Sequence, residues 1–454
     1  MSEARTPPRR ARAQERLQLT RRRVLGAAPA GALAALLVIA SAFDGAFDLR
    51  YWALITILAL TILITTQISG GILLDRGPLS IAVGLVWAFA AWTLLSSIWA
   101  DSAAQAWEGA DRTILYAAVI TAPLALPGRR QALWVGQGIF AGVGLVAVIT
   151  LISLLANGAD LFVAGRLDDP LGYRNATATL FAFVFWPLIG LSAERGRNTP
   201  LRALTFSVAT LCLGLAFLTQ SRGVLIGLVC GAAAFLAIGP DRMRRILLGL
   251  AAAAGVAIFS GPMLDPYHAF QNGEVVTNSV VDDASRALLL LTLAALLFGL
   301  FVALLDNGLR GSAVGEVASR AAPYVLGAAA VVGVIVALVA IGNPASYASD
   351  KWNEFTDLDS TSSTSTRLGT VGGQRYDLWR VAVKEFDSAP VGGVGEGNYD
   401  FGYYQDRRTD RNLSDPHSLP FRLLSETGIV GLLLFTGVIV ALGVGIARSA
   451  RRSP

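Results

Sequence analysis

Only two histidines occur in the 454 residues, and one of them, His417, stands in the stretch DPHSLPFRLLSETGIVG just ahead of the last long apolar run. An imidazole titrates near neutrality and can take a proton from a hydroxyl. Asp415 suits a helix N-cap and Pro416 a first helical position, so the spacing predicts a short helix with His417 in its first turn. Partial positive charge at such a helix start favours a neutral ring that can accept a proton. The alternative reading, a structural histidine capping the last span, carries equal weight on local physics alone. His268, in DPYHAFQNG, has fewer supports of this kind.

The other chemistry-bearing groups are arginines. Arg222 stands in LTQSRGVLIG, a turn too tight to do more than join two adjacent helices. Gly223, Gly227 and Gly231 follow at four-residue spacing, a small-residue face that would admit another helix closely. Arg375 opens RYDLWRVAVKEFDSAPVGGVGEGNY, which reads as an amphipathic helix to about Phe386 and then a glycine-rich turn. Arg166 and Arg174 flank Asp168 and Asp169 in GRLDDPLGYRNATA, where pairing with those carboxylates is the expected role. A guanidinium presents a planar fork suited to phosphate oxygens, yet arginines at helix ends also meet lipid headgroups. The GGVGEGN stretch has the glycines of a phosphate loop without its strand-to-helix context, so a turn is expected.

The elements that must position these groups are membrane helices. Apolar residues make up 54% of the chain and charged ones 15%, with mean hydropathy +0.56, which excludes an ordinary soluble globule. Runs long enough to span lie near 24–43, 52–74, 79–99, 114–126, 133–155, 176–191, 204–218, 224–238, 246–259, 287–305, 324–341 and 429–446. The expected fold is therefore an all-α polytopic membrane protein of about twelve spans, of which the fourth and ninth are short. It divides into a basic tail 1–23, a membrane domain 24–342, a long loop 343–428 carrying short helices and the motif, a last helix 429–447 and a basic tail 448–454. Twenty-two arginines fall on the face shared by the two termini, from the eight before Val24 to Arg448, Arg451 and Arg452. The short opposite connections hold Arg50, Arg112, Arg166, Arg174, Arg222 and Arg286, so both termini are expected in the cytoplasm. All candidate chemistry then lies at the outer surface, and the span interiors carry no charge. Cys212 and Cys230 sit in apolar runs and suggest neither a disulfide framework nor a metal site.

In combination these motifs resemble the bacterial O-antigen ligases and O-antigen polymerases. His417-Ser418, then Gly428 and Gly431, is similar to the family's histidine signature; Arg222 in TQSRG, Arg375 with Trp379, PVGGVGEGNY and GYRNATA match its other stretches in order. The resemblance runs from about Gly165 to Gly431. It implies a GT-C type glycosyltransferase, independent of metal and cofactor, in the bacterial cytoplasmic membrane. Such an enzyme moves a glycan from a polyprenyl-pyrophosphate carrier to a glycan, lipid or cell-wall acceptor at the outer face. It implies that Arg222 and Arg375 hold the pyrophosphate and that His417 deprotonates or orients the acceptor hydroxyl. Arg367 stands in reserve for Arg375, Ser418, Arg166 and Arg174 are supporting candidates, and Glu426 ties the break before the last span to the loop. Nucleic acid is not an expected partner. A polymerase of lipid-linked repeat units is the nearest alternative. A transporter or flippase of an anionic or lipid-linked solute is the alternative of another class, and the uncharged span interiors count against it.

Overall fold

The computed structural model describes residues 32–68, 77–124, 129–238, 241–308, 344–358, 375–410 and 412–452. The expected span 324–341, both basic tails up to residue 31 and from 453, and Arg367 lie outside the described residues.

The described chain is almost wholly helical. In order come α1 (Ala32–Ser41), α2 (Leu49–Ile68), α3 (Pro78–Leu95), α4 (Ala103–Leu124) and α5 (Arg129–Asn157). A two-residue hairpin, β1 (Phe162–Val163) and β2 (Arg166–Leu167), leads into α6 (Arg174–Ala193), α7 (Thr199–Leu218), α8 (Arg222–Ile238), α9 (Arg242–Gln271) and α10 (Asn278–Gly308). Three short helices, α11 (Pro344–Thr356), α12 (Arg375–Ser388) and α13 (Tyr399–Asp406), precede α14 (Leu419–Arg452). Each expected span that falls on described residues coincides with a helix. By length and hydropathy, seven of the described helices can cross a membrane; α1, α2 and α8 hold shorter apolar stretches.

Several helices outrun their sequence-based limits, α4 and α9 among them. α4 starts at Ala103, so Glu108, Asp111 and Arg112 ride on its first turns, where Arg112 pairs with Glu108 at 2.5 Å. α9 continues past Phe259 through Pro262 and Pro266 to Gln271, making 30 residues. Charges and prolines near a helix end lower mean hydropathy without stopping the helix, which is why a window search truncates both.

The main core is built by α5, α6, α7, α9 and α10, with Phe181, Ile189, Leu211, Cys212, Leu215 and Leu288 excluded from solvent. Close approach is set by small residues: a Cβ on Gly214 would lie 2.5 Å from Leu288, and one on Gly299 3.0 Å from the backbone of Ala203. A second cluster joins α3, α4 and α14 through Val86, Ala90, Ala117 and Val438. The short helices before α14 form a third cluster, in which α12 and α13 pack Leu378, Val381, Ala382, Tyr399 and Tyr403 together. Arg202 on α7 and Arg244 on α9 both pair with Asp306 on α10.

Candidate active site at the mouth of a cavity

The framework of the site is a broken helix. Within α14, Gly428 has φ +63° and ψ −165°, a conformation that interrupts the helix and frees the carbonyls before it. The glycine-rich turn satisfies them: Val394 donates to the Ser425 carbonyl at 2.8 Å, Gly395 to that of Glu426 at 2.9 Å, and Ile429 donates back to Pro390 at 2.9 Å. The Trp92 indole closes the Thr427 carbonyl at 3.0 Å. Glycine is required on both sides, because a Cβ on Gly393 would meet Glu426 backbone at 2.4 Å and one on Gly428 the Val391 carbonyl at 2.3 Å. GGVGEGN is thus a turn clamped to the start of the last helix, and Glu426 stands at that clamp.

A charge network lies in front of it. Arg422 donates through Nε to Glu426 at 2.9 Å and through Nη2 to Glu396 at 3.0 Å, and its Nη1 lies 3.5 Å from Asp415. Glu396 is buried against α4, where Gly109 leaves room for its side chain. Burial pushes the Glu396 carboxyl above its ordinary range, opposed by the Arg422 and Arg112 guanidiniums. Asp415 goes the other way. Burial raises it, but the hydrogen bonds from His417 and the charge of Arg422 outweigh this and hold its carboxyl low.

His417 does not sit in a helical first turn. α14 begins at Leu419, and the Ser418 carbonyl accepts the first helical bond, from the Arg422 amide at 2.9 Å. Asp415 instead accepts the His417 amide at 2.6 Å, closing an Asx turn in which His417 adopts φ +53°. Ser418 followed by Pro420 competes with Asp415-Pro416 as a helix-start signal, and the later pair wins. The first-turn argument for a neutral ring therefore falls away; the nearest charged neighbour of Nδ1 is Asp415, at 3.4 Å. The turn is fixed from outside by the Trp379 indole, which donates to the Pro416 carbonyl at 3.1 Å while its ring stacks on Phe421.

The site opens into a cavity of about 1270 Å³ bounded by α6, α8, α14 and the start of α12. At one end the lining comprises His417, Ser418, Arg375, Arg422, Asp415 and Asn175; farther along it is almost entirely apolar until Arg245 at the other end. Gly223, Gly227 and Gly231 line it too, which corrects the expectation of a helix-packing face. A Cβ on Gly223 or Gly227 would meet nothing within 4 Å, and one on Gly231 would meet only the Trp186 side chain, at 3.1 Å.

The arginines divide. Arg375 lines the cavity, whereas Arg222 begins α8 with its neighbours Ser221 and Gly223 in the lining and itself outside it. The Ser221 hydroxyl donates to Asn175 at 2.8 Å, which holds that turn against α6. Arg166 is buried in β2, and Arg174 opens α6 between the lining residues Tyr173 and Asn175. The expected Arg174–Asp168 contact forms through the backbone, the Arg174 amide donating to Asp168 at 3.0 Å, while its Nη1 finds no hydrogen-bond partner among the described residues. His268 lies near the end of α9, outside this lining. Arg422 and Glu396 were not singled out by sequence, and Asp415 was read only as a helix cap. Arg422 and Glu396 are 26 residues apart, and nothing local signals a partner that distant. Among the described residues, no group of three or more His, Cys, Asp or Glu is arranged to hold a metal ion.

No curated protein and no solved structure matches the chain. Residues 275–436 match the family model described as O-antigen ligase. That segment runs from the approach to α10 through the glycine-rich turn, His417 and the Gly428 break, so over these residues the chain is similar to the O-antigen ligases, while Arg222 and GYRNATA lie outside the match.

Proposed function

We propose that the protein is a metal-independent, GT-C type glycosyltransferase that takes a glycan from a polyprenyl-pyrophosphate carrier and transfers it to an acceptor hydroxyl. The proposal includes about twelve spans, both termini in the cytoplasm and the site at the outer face of the bacterial cytoplasmic membrane, supported by the arginine asymmetry of alternate connections. The observation that carries the reading is the polarity of the cavity. Guanidinium, imidazole, hydroxyl and carboxylate groups gather at one end, and an apolar wall of Ala182, Phe183, Val224 and Leu228 continues from them. A substrate with a charged, sugar-bearing head and a long hydrocarbon tail has the same distribution.

In this reading Arg375 and Arg222 hold the pyrophosphate by paired hydrogen bonds, with Arg166, Arg174 and Arg367 available to the glycan or the second phosphate. The acceptor oxygen attacks the anomeric carbon while the carbon–oxygen bond to the pyrophosphate breaks. The leaving group departs with both bonding electrons, its charge met by the arginines. With Nδ1 turned to Asp415, Nε2 of His417 takes the acceptor proton. Ser418 can orient the same hydroxyl, and Glu426 keeps the break in α14 attached to the turn. Ligase and polymerase share every one of these steps and differ in the acceptor alone.

The test uses purified full-length protein in detergent with a synthetic lipid-pyrophosphate glycan and candidate acceptors. Product formed without a sealed compartment, and lost in His417→Ala, is the expected result. Transport across proteoliposomes with no transfer in either setting would overturn it in favour of a carrier.

A further inference from the structure

At the end of the cavity opposite His417 stands Arg245, in the first turn of α9 and only 9% exposed. Its guanidinium carbon lies 4.3 Å from the centroid of the Phe235 ring, yet its Nε is buried and donates to no described group. Neighbouring carboxylates do not complete it. Asp306 is engaged by Arg202 and Arg244 and Glu194 by Arg197 at 2.5 Å, and both Asp241 and Glu194 act on Arg245 by charge, with no hydrogen bond from its side chain to either. A buried guanidinium without hydrogen-bond acceptors is costly, and an arginine with only surface duties would extend its head into water instead. The approach to it is apolar: Phe235, Ala234 and Gly231 on α8 and Ile446 on α14. α8 also turns Ile226 and Val229 outward, each at least two-thirds exposed, as a helix facing hydrocarbon does.

We propose that this end of the cavity binds the phosphate headgroup of an anionic glycerophospholipid, held by Arg245 at the start of α9, with an acyl chain along the Phe235–Ile446 wall. The helix N-terminus adds favourable field for the anion. A soluble phosphate would satisfy Arg245 and leave the apolar wall bare, which is why a lipid is the better occupant. The site lies at the other end of the cavity from the proposed transfer chemistry and does not depend on it.

Native mass spectrometry of the purified full-length protein, titrated with phosphatidylglycerol, phosphatidylcholine or inorganic phosphate, reads the site directly. Phosphatidylglycerol should be retained in preference to phosphatidylcholine, and Arg245→Gln should weaken that retention at least about tenfold while Arg245→Lys keeps part of it. Ile446→Trp, which leaves the guanidinium in place and fills the wall, should also displace the lipid. Equal retention in all variants, equal binding of the two lipids, or saturation by inorganic phosphate alone would overturn the proposal. Because no glycan transfer is measured, failure here says nothing against the enzyme reading.

Discussion

The carboxylate of Asp415 accepts the backbone amide of His417 at 2.6 Å and lies 3.4 Å from its Nδ1. One side chain therefore both sets the turn that carries the histidine and faces its ring. A non-glycine residue at φ +53° costs on the order of 1–2 kcal/mol, and the Asx hydrogen bond offsets part of that. Asp415→Asn should keep the turn and lose the charge, slowing transfer about tenfold. Asp415→Ala should lose both and slow it further. Steady-state kinetics on the two variants separates the roles, and equal activity of all three proteins would remove Asp415 from the mechanism.

His417→Ala should leave a membrane-inserted protein that binds lipid-linked donor and transfers glycan some 10² to 10⁴ times more slowly, the usual contribution of a positioned base. Arg375→Lys keeps the charge but not the fork, and should lower kcat/KM at least tenfold. Arg222→Lys should do the same to a smaller extent, since Arg375 lines the cavity and Arg222 stands beside it. Donor binding and turnover measured together distinguish the histidine from the arginines. Full activity of both lysine variants would reduce those arginines to surface charges.

Helix positions were legible because hydrocarbon thickness imposes a length on apolar runs, and that constraint acts on each run separately. The misreadings arose where a local pattern fits two geometries. Asp415-Pro416 serves a helix cap and an Asx turn equally well, and Ser418 with Pro420 decides the matter only once the chain is folded. Gly223, Gly227 and Gly231 show a smooth helix face, but whether a helix or a cavity lies opposite depends on the placement of α14. Arg422 carries no local signal of its partners. Its partner Glu396 belongs to a turn whose approach rests on Gly109 in α4, a contact between segments remote in sequence.

The break in α14 should be intolerant of a side chain. At φ +63° and ψ −165°, Gly428 occupies a region open essentially to glycine alone, and a Cβ there would sit 2.3 Å from the Val391 carbonyl. Gly428→Ala should cost at least about 3 kcal/mol or prevent the glycine-rich turn from docking on α14. Gly443, in the same helix with nothing within 4 Å of its Cβ, is the control, and Gly443→Ala should be neutral or slightly stabilising. Thermal unfolding in detergent compares them, and equal midpoints would mean that the turn does not clamp the helix.

The packing of α12 should weaken as pH rises. Glu385 on α12 is 6% exposed, and neither carboxyl oxygen has a hydrogen-bond partner among the described residues. Burial, aided by Glu426, Asp406 and Asp400, pushes it up to about 9. A carboxyl raised in the folded state binds a proton that the unfolded chain releases near its ordinary value. The stability it allows is complete at low pH and declines between roughly pH 4.5 and pH 9. Glu385→Gln should flatten this decline and raise Tm most at pH 8–9. A slope unchanged by the substitution would show that Glu385 is not the group responsible.

The glycine face of α8 supplies the sharpest test of the cavity. Gly227 lies in regular helix with open space where its Cβ would be, so a larger side chain enters the cavity without meeting protein. Replacing a helical glycine also gains about 1 kcal/mol of helix propensity, so Gly227→Leu should be at least as stable as the unaltered protein. If the apolar wall receives the carrier's hydrocarbon, leucine there takes up the space that the first isoprene units need. Affinity for a long-chain lipid-linked donor should fall about tenfold or more, while a donor with a truncated tail should be affected less. The comparison is made as kcat/KM for long and short donors with both proteins. A stable Gly227→Leu protein that handles both donors normally would exclude this cavity as the carrier's path and leave the polar cluster around His417 without its hydrocarbon site.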